Sequence, residues 1–220
     1  MVIPLNKLRA AGAMLGAALV AVALVIIWVA RSETDRVVYV SGLGADGEPT
    51  AARFELALLL IVGGGLMVAW GARGVRSRLP YLNAWAPSAT LVVSCLLFFV
   101  ASQVPCTYGC PVPVGDTFTW QDLIHTSSAV LAFGAAAWAM LQTAFAEGYP
   151  RLRRISLAAA ILVAVIAAAG GIMSLLQFRI DVGSLFEFIA TSIGIFWLSL
   201  LGVATARTAV MPSAAATTPS

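Results

Sequence analysis

Two cysteines, Cys106 and Cys110, stand four residues apart in VPCTYGCPVPVGDTFTWQDLIHTSS, residues 104–128. The chain's single histidine, His125, lies in the same stretch, with Asp122 three residues before it. Two thiolates, an imidazole and a carboxylate form a donor set suited to zinc. An imidazole beside a carboxylate is also a pair that can do general acid–base work. Outside a membrane, the same cysteines would form a disulfide instead. Which chemistry applies depends on where the surrounding elements put this stretch.

Those elements are hydrophobic. The 220 residues are 60% hydrophobic and 10% charged, with mean hydropathy +0.95. A soluble domain carries about 25% charged residues, so this chain lacks the charge to cover a water-facing surface and must be solvated by lipid. Six stretches approach the 20 or so apolar residues that cross a bilayer. They run roughly over 11–30, 54–72, 84–102, 121–145, 155–177 and 185–206. In lipid their backbone groups must bond within the segment, which makes them helices. The expected fold is all-α: a six-helix transmembrane bundle over 1–207, followed by a disordered cytoplasmic tail over 208–220. The first apolar run is longer than a signal-peptide core, so it reads as a retained span.

Charge sets the orientation. The N-terminus, the 73–83 and 146–154 loops and the C-terminus hold nine basic residues against one acid, Glu147. The opposite face holds Arg31, Arg36, Arg53 and Arg179 against nine acids. The positive-inside rule puts both termini in the cytoplasm. Trp28, Trp70, Trp85 and Trp120 fall at span ends, as an aromatic belt requires. Twelve arginines against one lysine, with abundant alanine, suit a GC-rich bacterial genome. The expected location is therefore a bacterial cytoplasmic membrane. Small residues inside spans, Gly12, Gly16, the GGG at 63–65 and the AAAGG at 167–171, predict close helix approach rather than broken, substrate-binding helices.

Several function classes drop out. No basic run suits nucleic acid, and no ionisable residue lies near a span centre, as a proton relay needs. One histidine cannot build a His-rich zinc site. Gly42, Gly44 and Gly47 spell G-x-G-x-x-G, but between two spans they read as a tight turn needing positive φ. Neither a cofactor nor a metal is expected.

The polar residues collect on the outer side. There RVVYVSG has the composition of a short strand, and Pro49 suits the first turn of the second helix. Cys106 and Cys110, lying outside, predict a disulfide rather than a metal site, since a turn through Tyr108 and Gly109 brings their Cα atoms within range. Cys95 reads as a small buried residue. Thr119 to Asp122 fits the capping pattern [ST]-x-x-[DE], and Ser184 to Glu187 repeats it at the sixth span. His125 shares a helix face with Asp122 and Ser128. It is expected either to hydrogen-bond locally or to line an outward pocket with Asp122, Arg53, Glu55, Arg179, Asp181 and Glu187.

Two stretches carry a family resemblance. VSGLGADGEPTAARFE, residues 40–55, resembles the Ser-x-Leu-Gly-Ala segment before a helix in the bacterial membrane family catalogued as domain of unknown function 998. GCPVPVGDTFTWQDLIHTSSA, residues 109–129, resembles its Gly-x-x-Pro loop followed by a histidine in the next helix. Gly42 stands where that family has an acid, and Cys110 where it has an aromatic. The resemblance implies fold and location, with no established activity. A more distant similarity connects the chain to six-span eukaryotic membrane proteins linked to lipid remodelling and trafficking. The sequence favours a non-enzymatic membrane protein that binds lipid or a membrane-protein partner at the outer leaflet in envelope maintenance. The alternatives are a small-molecule or lipid transporter, and a lipid hydrolase or transferase using His125.

Overall fold

The computed structural model describes residues 4–210. Its six long helices are α1 (Leu5–Ser32), α2 (Ala51–Gly71), α3 (Pro87–Gln103), α4 (Trp120–Ala144), α5 (Pro150–Leu175) and α6 (Ile180–Val210). Five of them are long and apolar enough to cross a membrane. The sixth, α3, has 17 residues, or about 26 Å at 1.5 Å per residue. Of the tail expected to be disordered, 208–210 continue α6, and 211–220 lie outside the described residues.

Each helix packs against the next, and α6 returns to α1, closing a ring; α2 also touches α6 across it. Glycine permits the closest approaches. A Cβ on Gly16 of α1 would meet the Gly64 carbonyl of α2 at 2.5 Å, and one on Gly64 would meet the Gly16 carbonyl at 2.7 Å. Gly65 faces Cys95 of α3 equally closely, whereas Gly63 has nothing within 4 Å. The small-residue runs therefore work as packing surfaces only on the faces turned inward. Buried Trp197 on α6 donates from Nε1 to Ser156 Oγ on α5 at 2.8 Å. The outer surface is studded with exposed Leu, Val, Ile and Phe, such as Val25, Leu96, Val130, Val165 and Phe196.

At the end of the bundle where α1 begins and α6 finishes, Gln142 of α4 is a buried tie. Its amide donates to the carbonyls of Leu82 and Trp85 at 3.1 and 2.9 Å, and its oxygen accepts from Thr90 Oγ1 at 2.9 Å. This fastens the α2–α3 connection to two helices.

Three local expectations need correction. No strand forms in RVVYVSG among the described residues; it is an extended segment leading into a 3₁₀ turn over Ser41–Gly44. Strand-like alternation is present, with Val38 and Val40 buried and Val37 exposed. No neighbouring strand exists to complete a ladder, so the backbone finds a side-chain partner. Pro49 precedes α2, whose N-cap is Thr50. Ser184 and Glu187 do not cap α6, because that helix has already begun at Ile180. The turn from α5 is made by Gln177 and Arg179, both at positive φ.

Candidate functional site

The first turns of α4 hold the outer loops in place. Thr119 caps α4, its Oγ1 accepting from the Asp122 N–H at 3.0 Å. The Asp122 side chain reaches across to the neighbouring loop rather than completing a reciprocal box. Its carboxylate accepts from Thr107 N–H and Thr107 Oγ1, both at 2.8 Å, and from Thr119 Oγ1 at 2.6 Å. Asp122 is fully buried. Gln121 donates to Asp46 Oδ2 and to the Pro105 carbonyl, both at 2.7 Å. Asp46 N–H in turn donates to the Cys106 carbonyl at 2.9 Å, so the first two outer loops are bonded to each other.

Cys106 and Cys110 are disulfide-bonded, with Cα atoms 5.1 Å apart. Gly109 between them takes φ +82°, a conformation open to glycine at little cost. The Arg36 guanidinium pairs with Glu48 and lies 5.2 Å from the centre of the Tyr108 ring. Gly47 has φ +82°, as the tight-turn reading requires, while Gly44 is small for another reason: a Cβ there would meet the Phe54 ring at 2.4 Å.

His125 is 4% exposed and packs under this loop. Its Nδ1 lies 3.0 Å from the Ala101 carbonyl and 2.8 Å from the Val104 carbonyl. Both partners are acceptors, so the ring carries its proton on Nδ1. Ala101 is in the last turn of α3, where helix carbonyls lack helical partners. The two sulfurs and a His125 nitrogen lie within 4.8 Å of one another. Joined as a disulfide, the sulfurs are not thiolates, and the donor set for zinc is not assembled.

The expected outward pocket divides. His125 and Glu187 do line one partly open cavity, of about 90 Å³, to which all six helices contribute side chains. The Glu187 carboxylate accepts from the Val40 N–H at 3.0 Å, which is where the unpaired extended segment finds its partner. Asp122 does not line the cavity. Arg53 pairs with Glu33, and Arg179 with Asp181 at 3.1 Å, all on the surface; Glu55 is also exposed. The reason is helical phase. Phe54 is buried against Gly44, and its sequence neighbours, about 100° to either side, turn outward.

Most of the cavity wall is apolar. Phe54, Leu58, Leu91, Phe98, Met140 and Trp197 are representative. The polar members are Ser41, Ser94, His125, Glu187 and Thr191, with the free thiol of Cys95. No lysine or arginine lines it. Thr191 was not singled out by sequence reasoning, because threonine is unremarkable in an apolar helix. It is 7% exposed, and its Oγ1 has no hydrogen-bond partner. Mid-helix threonines usually bond the carbonyl four residues back, as Thr143 does to Ala139.

Comparison with known sequences gives one informative result. The model of the family described as protein of unknown function (DUF998) matches residues 10–204. No curated protein matches, and no solved structure does.

Proposed function

The chain belongs to the DUF998 family, and we propose that it is a six-span membrane protein that holds a lipid inside its helix bundle, head toward the outer loops. The apolar cavity carries this reading. Its polar lining of His125, Glu187 and Ser41 gathers near the outer loops, while Leu91, Met140, Trp197 and Leu198 line the deeper part. A mostly apolar void with a few convergent polar groups at one end suits an amphipathic guest. The charge asymmetry between the two faces supports an orientation with both termini in the cytoplasm of a bacterium. A six-helix count supports it too, since it returns the chain to the side on which it began. At 17 residues α3 is at the short end of the spanning range, and α3 packed between α2 and α4 completes the ring.

A binding role in envelope maintenance fits better than catalysis. The carbonyls that hold Nδ1–H of His125 are neutral, and no carboxylate hydrogen-bonds to the ring to stabilise an imidazolium among the described residues. A histidine general base gains most from a carboxylate that stabilises its charged form. A transporter would need a continuous polar path, and the deep wall is apolar.

Mass spectrometry of the protein purified in mild detergent tests the proposal. A lipid should co-purify at near one copy per chain and be lost when the cavity is filled by Gly194→Leu or Ala136→Phe. Equal lipid retention by the filled variants would overturn it.

A further inference from the structure

Within the lipid-binding reading, on which this rests, we infer that the cavity selects a single-chain amphiphile with an uncharged hydroxyl head, a long-chain alcohol, over anionic lipids. Charge supplies the first argument. Among the described residues no lysine or arginine lines the cavity, and the arginines at that end of the bundle are engaged elsewhere. Arg31 donates to the Thr34 carbonyl and lies over the Phe188 ring; Arg36, Arg53 and Arg179 pair with Glu48, Glu33 and Asp181. A phosphate or carboxylate head would enter without a counter-charge and beside the Glu187 carboxyl. Burying an unpaired anion is among the costliest placements in a fold.

Hydrogen-bond valence supplies the second. Glu187 and Thr191 are four residues apart on α6 and line the same cavity, so they are neighbours one turn apart on one helix face. The Glu187 carboxylate is an acceptor. Thr191 Oγ1 is buried and has no partner among the described residues, leaving an O–H free to donate. A ligand hydroxyl placed between them donates to Glu187 and accepts from Thr191, satisfying both. A phosphate, carboxylate or ester oxygen only accepts: it can take the Thr191 hydrogen but offers Glu187 nothing beyond the bond it already has from the Val40 N–H.

Size supplies the third. A volume of about 90 Å³ holds on the order of six water-sized groups. That is room for a head and the first several carbons of one chain. A single water between Glu187 and Thr191 would satisfy the polar pair but leave the apolar remainder empty.

The test uses the full chain in lipid nanodiscs and three photoreactive probes sharing one diazirine-bearing C16 tail: hexadecanol, palmitic acid and phosphatidylglycerol. Peptide mass spectrometry locates the labelled residues. The alcohol should label the cavity wall at least tenfold more efficiently than either anion. Thr191→Val, which keeps the side-chain shape, should lower alcohol labelling about tenfold, the worth of one buried hydrogen bond, and leave labelling by palmitic acid unchanged. Palmitic acid or phosphatidylglycerol labelling the cavity as well as the alcohol would overturn the selectivity while leaving lipid binding intact. Absence of cavity labelling by all three probes would overturn the lipid-binding reading itself. The probe comparison on the unaltered protein does not depend on the variant folding.

Discussion

Asp122 separates a structural from a chemical reading of the outer site most sharply. In Asp122→Ala the carboxylate's three bonds disappear: two to Thr107 and one to Thr119. Each is worth about 1 kcal/mol net, giving a loss of about 3 kcal/mol. The cap bond from the residue 122 N–H to Thr119 Oγ1 survives, because it uses only backbone at that position. Asp122→Asn should cost far less, about 1 kcal/mol, the part due to charge assistance. Its oxygen can still accept from the Thr107 N–H, and its amide can donate to the two threonine hydroxyls once they rotate. The assay is built into the chain. Cys95 is the one free thiol among the described residues and is buried, so a thiol-reactive dye reports unfolding in detergent. At about 2–4 °C per kcal/mol for a chain of this length, the alanine variant should melt about 6–12 °C lower and the asparagine variant about 2–4 °C lower. An alanine variant that melts with the parent would refute the reasoning. So would an asparagine variant as unstable as the alanine one, since that would make the charge itself indispensable.

Two further predictions use the same melt or the same cysteines. Gly64→Val drives a side chain into the Gly16 carbonyl and should cost about 1–3 kcal/mol by overpacking. Gly63→Ala, which meets nothing within 4 Å, should be neutral or stabilising by up to about 1 kcal/mol; equal losses at the two sites would refute the α1–α2 contact. Cys106 and Cys110 should label from outside intact cells only after reductant, and opening their short loop should cost about 2 kcal/mol of chain entropy. Labelling without reductant would refute the disulfide in the native protein, and labelling only after permeabilisation would refute the proposed orientation.

The helices were legible because a bilayer-length apolar run has few other uses. Their ends were less so: α1 and α6 continue past the apolar runs into charged sequence, and hydropathy does not register that continuation. The capping pattern shows why local signals succeed or fail. Thr119 itself is extended, with φ −133° and ψ 150°, and its side chain caps. At Ser184 the same four-residue pattern lies inside a helix already under way, so Ser184 Oγ bonds back to the Asp181 carbonyl instead. What the pattern lacks is any record of where the turn from α5 ends. The partners of Glu187 and His125 were not legible at all. Val40 is 147 residues from Glu187, and Ala101 is 24 from His125; a single sequence gives no means of pairing residues at such separations.

These bonds change what a cluster of polar residues at a membrane surface signifies. Asp122, Gln121, His125 and Glu187 sit near the starts of α4 and α6, and each bonds backbone of the adjoining loops or of the last turn of α3: Thr107, Pro105, Ala101, Val104 and Val40. Backbone groups of irregular loops have no ladder to satisfy them, and near lipid an unmet N–H or C=O is expensive. Side chains from neighbouring helices meet that need here, with the Cys106–Cys110 bridge stiffening the loop they hold. The cluster that resembles a catalytic constellation in sequence is thus a lid fastened by its own polar residues. Among the described residues two buried hydroxyls, Tyr39 and Thr191, are left without a partner, and of these Thr191, one turn deeper than Glu187, lines the cavity. A residue spent on scaffolding has a partner that accounts for it; a buried hydroxyl without one is where the ligand's chemistry is to be sought.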